Sequence, residues 1–248
     1  MRRLLTAASV AVLASLALSV PASAADLEYV SLNEKGLKQA LIKKSWAPGW
    51  LGKLDIYNAE VMMGKGAKPT ECATTDSVIT SNKSVDFAYA YMDFAQNKEG
   101  HLLDVAQNVY QYKDVASAEQ AWQILLDAAG ACAGTQTHNI KDESGKVIGK
   151  ATSVVEVFTE PGMYGQVQLV INEDVRYDEP LPGGTDTRAS ADEISIWMYD
   201  GMTIIETESN KYVPKQKNWV FSEPQIATIE TLALVTIQRY HLAALKAV

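Results

Sequence analysis

The side chains with the most chemical reach in this sequence are its carboxylates. Asp192-Glu193 and Glu206-x-Glu208 flank Asp200-Gly201, the strongest short hairpin signal in the chain. A two-residue turn there sets Tyr199 opposite Met202, Trp197 opposite Ile204 and Ile196 opposite Ile205. It brings Glu193 to face Glu208 and Glu206 to face Ser195. Two facing carboxylates can serve as acid and base or hold Ca²⁺, but like charges at a solvated sheet end are common, and that reading is favoured. Asn172, Glu173, Asp174, Asp178, Glu179 and Asp186 form a denser acidic run, in a stretch from Asn172 to Asp192 that also holds Pro180, Pro182, Gly183 and Gly184. It lacks EF-hand spacing and reads as a solvated loop. His101 with Asp104 has the makings of a base and its orienter, yet two surface residues at a strand start explain the pair better. His138 beside Lys141-Asp142-Glu143 is read as solvated too. There is no G-x-S-x-G or H-E-x-x-H, and Gly64-Lys65-Gly66 is too short for a phosphate loop. No catalytic residue, metal site or cofactor is expected, and the chain is not expected to be an enzyme.

Aromatic residues are the remaining candidates for a site. Phe87, Tyr89 and Tyr91 share one face of an alternating run from Ser84 to Phe94, and Trp197 and Tyr199 share one face of the hairpin. An aromatic-lined concave face suits an apolar or carbohydrate ligand; its bland counterpart is a sheet face buried under helices, the more frequent case. Trp122, in a stripe with Ala118, Leu125, Leu126 and Ala129, is expected in the core, whereas Trp197 is expected to line a cleft.

The elements that must position these residues begin after an export signal. Arg2-Arg3, the uncharged run Leu4 to Val20, Pro21 and Ala22-Ser23-Ala24 form the three parts of a cleaved signal peptide over residues 1–24. The secreted chain would begin at Ala25 and form one domain over 25–248. Losing two arginines makes it more acidic than the −8 of the whole chain. With no basic block, nucleic-acid binding is not expected, because that affinity rests on Lys and Arg meeting phosphates. No second apolar run of about 18 residues exists to cross a membrane. Export favours a disulfide for the only two cysteines, Cys72 and Cys132. A Zn site or a catalytic thiol are the rival readings; Zn would need more ligands, and His101, His138 and His241 do not cluster with the cysteines in sequence.

Asn33 to Ser45 reads as a short helix capped by Asn33, and Leu102 to Tyr112 as a strand after Ser84 to Phe94. Ser117, with Gln120 at capping-box spacing, opens a helix that ends at Gly130. Ala151 to Phe158, Gln166 to Ile171, Glu193 to Tyr199 and Met202 to Glu208 are strands, and Glu223 to Lys246 a last helix. With no alternation of strand and helix, the expected fold is α+β: one antiparallel sheet of about six strands packed against helices.

Val109-Tyr110-Gln111-Tyr112, the helix start Ser117-Ala118-Glu119-Gln120-Ala121-Trp122 and Cys132 at the helix end carry a resemblance. This order resembles the extracellular sensor domain family of the mycobacterial serine/threonine kinase PknH, which includes free-standing secreted proteins. The family's upstream cysteine corresponds to Cys72, so the resemblance implies a Cys72–Cys132 bridge. It also implies an α+β fold with a cleft and a ligand-binding role, toward a small molecule or a cell-envelope component. The kinase's second disulfide has no counterpart here, since no cysteine is left for it. A flat protein-binding face is the further alternative.

Overall fold

A computed structural model describes residues 30–46, 53–64, 85–94, 102–142, 144–160, 165–179, 187–214 and 221–245. The short helix α1, Glu34–Ala40, starts where the Asn33 side chain accepts a hydrogen bond from Gly36 N–H at 3.0 Å. A 3₁₀ turn at Lys44–Trp46 follows in place of the longer helix expected. Strands β1, Leu54–Met62, β2, Val85–Phe94, and β3, Leu102–Tyr112, form an antiparallel meander. Helix α2, Val115–Cys132, is capped by Asp114, not Ser117: its carboxylate accepts from Ser117 N–H at 2.7 Å, and hydrogen bonding from the Ser117 side chain and then its N–H holds the carboxyl below its usual range. Strands β4, Gly134–Lys141, β5, Val147–Glu160, β6, Gly165–Tyr177, β7, Arg188–Asp200, and β8, Thr203–Pro214, make a second meander. In the closing helix α3, Glu223–Leu245, Gln225 Oε1 reaches back to accept from Ser222 N–H at 2.9 Å, the return half of a capping box.

Among the described residues the two meanders join into a single antiparallel sheet of eight strands, ordered β1-β2-β3-β8-β7-β6-β5-β4, larger than the six expected. β3 and β4 are five strand spacings apart, about 24 Å. The 18 residues of α2 span about 27 Å, so the helix bridges that distance across one face, lying on β3, β8, β6 and β5. Helices α1 and α3 cover the opposite face, α3 against β7 and β8. One core lies on the α1/α3 side, where Ile229, Ala233, Ile237 and Tyr240 meet Ile194, Ile196, Met198 and Ile205. The other lies beneath α2, where Ala118, Leu125 and Ala129 meet Tyr110, Trp197 and Ile204.

Two fully buried glutamines of β3 tie the N-terminal segment to the first core. Gln107 accepts from Ile42 N–H at 2.8 Å and donates to the hydroxyls of Thr236, 2.8 Å, and Thr207, 3.1 Å. Gln111 accepts from Leu32 N–H and the Tyr240 hydroxyl, and donates to Leu32 C=O and Asp86. Every amide atom is satisfied, as burial requires.

Two sequence expectations change here. The hairpin turns through Gly201 and Met202, with Gly201 at φ 53°, so Asp200 pairs with Thr203 and the register moves by two residues. Asp200 is drawn out of the turn by His241, whose Nδ1 lies 2.8 Å from its Oδ2. Much of the supposed acidic loop is strand: Asn172 to Tyr177 continue β6, paired on both sides by β5 and β7, and Arg188 to Asp192 already belong to β7. Of the six acidic-run positions, Asp178 and Glu179 lie just past β6, and Asp186 is outside the described residues.

Candidate functional site

Strand register lays the α2 face out in rows. One row reads Met62, Phe87, Tyr110, Ile204, Tyr199, Gly165; the next reads Glu60, Tyr89, Asn108, Glu206, Trp197, Val167. A third reads Asn58, Tyr91, Ala106, Glu208, Ser195, Leu169. Phe87, Tyr89, Tyr91, Trp197 and Tyr199 thus share one face, as the alternation requires. Tyr110, on the strand between the two stripes, links them. Its ring centroid is 5.3 Å from Phe87 and 6.0 Å from Trp197, and Phe87 stacks on Tyr89 at 6.1 Å. Phe87 and Trp197 are buried, while Tyr89, Tyr91 and Tyr199 are half-buried.

The two tryptophans exchange the places expected of them. Trp197 is 1 % exposed, whereas Trp122 is only partly buried and stacks on Tyr199 at 5.7 Å, above Gly165. Ala118 and Ala129 let α2 lie close to the sheet, with Leu125 between them filling the core, which leaves the Trp122 indole at the flank of the stripe.

Glu206 is the center of the polar part of this face. It lies beside Trp197 in the register and is buried, with Oε1 accepting from Ser195 Oγ at 3.0 Å and Oε2 from Asn108 Nδ2 at 2.9 Å. Burial, reinforced by the charge of Glu208, pushes its carboxyl up to about 8, so it carries its proton at neutral pH. Among the described residues, the buried Trp197 Nε1 nearby makes no hydrogen bond, while the Tyr110 hydroxyl lies against the Glu206 carboxyl. Burial, and then Glu206, raise the Tyr110 phenol well above its ordinary value. Farther along, the Asp104 carboxylate accepts from Asn210 N–H at 3.1 Å and from the Tyr91 hydroxyl at 3.4 Å. Asn210 also donates to Glu208. Burial raises the Asp104 carboxyl, and burial followed by Asp104 pushes the Tyr91 phenol up to about 12.

The Glu193–Glu208 pair does not form, because the shifted register sets Glu193 against Asn210 and Glu208 against Ser195. Glu206 still reaches Ser195, diagonally. Cys72 and His101 lie outside the described residues, as does the side chain of Cys132, and His138 sits on the edge strand β4. Among the described residues no three His, Cys, Asp or Glu side chains are placed to share a metal ion, and no helix is long and apolar enough to cross a membrane. Tyr110 and Asn108 were not singled out as site residues; their signal is their alternation with Val109 in β3, which sets them on the face of Tyr89 and Phe87.

No family model and no curated protein matches the chain. The crystal structure of the extracellular domain of PknH from Mycobacterium tuberculosis does, with a TM-score of 0.54 at 11% sequence identity, covering 87% of this chain and 100% of that one. The two share a fold. At this identity the likeness speaks for architecture alone.

Proposed function

We propose that the protein is a secreted, non-catalytic ligand-binding module of the sensor type, formed by residues 25–248 after loss of residues 1–24. The observation that carries this reading is a buried, unpartnered donor, Trp197 Nε1–H, beside a buried carboxylic acid on an aromatic face. Native proteins leave few such groups unpaired, and a ligand oxygen would satisfy them. The fold shared with a kinase's extracellular domain supports the sensor type. Tyr89, Tyr91 and Tyr199 supply the half-buried contact surface, with Phe87 and Trp197 beneath it. The partner is a small molecule or a cell-envelope component.

Thermal-shift screening of the secreted chain against saccharides, amines and envelope fragments tests this. A true ligand at a hundred times its Kd adds about 2.7 kcal/mol to stability. The shift should shrink in Trp197→Phe, which keeps an aromatic ring and removes the N–H together with the pyrrole part of the indole. A ligand whose shift is unchanged in that variant binds elsewhere, and the site is then wrong.

A hydrolase is the second reading. Glu206, with its raised carboxyl, and Glu208 are neighbours on one strand face, and a proton-bearing acid beside a second carboxyl group is the pairing that glycoside cleavage uses. Turnover of chromogenic glycosides that disappears in Glu206→Gln would establish it in place of the binding module.

A further inference from the structure

The two edge strands of the sheet, β1 and β4, are finished differently. A free edge offers the N–H and C=O groups of alternate residues to any extended chain, and native proteins blunt it with charge, bulges or cover. β1 is blunted in all three ways. Its register breaks between Leu54 and Ile56, it carries the exposed acids Asp55 and Glu60, and α1 packs against it. β4 is built otherwise. From Gly134 to Ile140 it pairs with β5 without a break, and that stretch contains no Asp, Glu, Lys, Arg or Pro. Among the described residues no strand lies beyond it.

The edge is also held ready for a partner. Ile140 packs against the small cluster of Ala151, Val175 and Ala189, and the hydroxyls of Thr137 and Thr152 meet at 3.4 Å between β4 and β5. A strand already fixed in this way gives up little freedom when it pairs. Its sequence is complementary to itself about Thr137. An antiparallel two-fold axis there sets Thr137 opposite its own copy, Thr135 opposite Asn139, Gln136 opposite His138 and Gly134 opposite Ile140. The same register brings Lys141 of each molecule opposite Ala133 of the other, the residue that ends α2. The last turn of α2 contains no basic residue, so a lysine from a second molecule would meet the negative end of the helix dipole there.

We infer that β4 is an interface for a second copy of this chain. The two strands pair antiparallel about Thr137, and the eight-stranded sheets of both molecules run on as one. The interface does not depend on the ligand-binding reading, since β4 is the third strand beyond β7 in the sheet. One strand from each molecule makes a small interface, so the dimer is a weak one that forms at micromolar concentrations.

Sedimentation equilibrium of the secreted chain between about 5 and 500 μM should show a monomer passing into a dimer. Thr137→Lys sets two ammonium groups face to face on the axis and should raise the dissociation constant at least tenfold, with an unchanged thermal melt to show that the fold is intact. Lys141→Glu, which brings a negative charge to the end of α2, should raise it at least threefold, and Asn58→Lys on β1 should leave it as it is. The register has its own readout. Thr137→Cys should oxidise to a covalent dimer, because the two positions face each other, whereas Thr135→Cys should not, its two copies standing about 14 Å apart. A chain that stays monomeric over the whole range would overturn the inference. So would a dimer that withstands Thr137→Lys, or one that cross-links at position 135 and not at 137.

Discussion

Replacing Glu206 by Gln isolates the energetic effect of one buried carboxyl. Below about pH 4.5 this group is protonated in the folded and the unfolded chain alike, and its titration contributes nothing. From the ordinary 4.5 up to about 8 the unfolded chain ionises while the folded one, desolvated and facing Glu208, does not. The folded state then binds one proton more, so stability falls as pH rises, by about 1.4 kcal/mol per pH unit. At pH 7 the loss reaches about 3 kcal/mol relative to pH 4.5. Above about 8 both states are ionised and the loss levels off. Gln keeps the size and the neutrality, although Ser195 or Asn108 must reorient to meet its amide. Asp104, raised by burial, tilts both proteins in the same sense and cancels in the difference. Urea unfolding at pH 5, 6, 7, 8 and 9 gives the two curves. The variant should gain on the wild type steadily from pH 5 to 8 and then hold its lead. Parallel curves across that window would show that Glu206 is ionised in the folded protein and that the burial argument is wrong.

Trp197→Ala should cost about 3–5 kcal/mol through the cavity it leaves, and Trp122→Ala about half as much, both read from thermal or urea melts. Gln107→Leu strands Ile42 N–H and two threonine hydroxyls in the core, and denaturant unfolding should show a loss of at least about 2 kcal/mol. In Gly149→Ala the new Cβ would stand 2.4 Å from the Arg176 carbonyl oxygen, so β5 and β6 must part there; a loss of about 2 kcal/mol or more is expected in the same assay. Thiol titration of the denatured, unreduced protein should find no free sulfhydryl at Cys72 or Cys132, and reduction should lower stability by about 2–4 kcal/mol.

What could be read from the sequence follows from which residues have one dry side. α2 and α3 each pack one stripe against a core, and β2 and β3 send alternate residues to the two cores, mainly aromatic on the α2 side and mainly smaller aliphatic on the other, so their stripe or alternation is written in the residues. β1 and β4 are the edge strands. Thr135, Gln136, Thr137 and their neighbours in β4 are almost all exposed, and without a buried face there is no alternation to see. Asn172 and Asp174 look like loop residues by propensity, but backbone pairing to β5 and β7 on both sides holds them extended. The hairpin shows what alternation leaves undetermined. A slip of two residues keeps every side chain on its face, so the faces of Trp197 and Glu206 followed from sequence while their partners did not. Glu206 was legible as a carboxylate reaching Ser195, but not as a buried one; its burial depends on rings from two other strands, Tyr110 and Trp197, that meet from either side of β8.

The order in which the strands come together has a kinetic side. β8 returns to lie against β3, so the two meanders meet along one seam, and the Asn108–Glu206 bond across it joins residues 98 apart in the chain. Closing a loop of that length costs about 4 kcal/mol in chain entropy before any contact is made, whereas each meander assembles from neighbouring strands. On that ground the seam is expected to form late, after both halves have taken shape. Weakening it, at Asn108 or at Ser209, whose hydroxyl donates to the Asp104 carbonyl at 2.8 Å, should speed unfolding and leave the refolding rate nearly untouched in stopped-flow measurements; slower refolding in either variant would place the seam before the barrier.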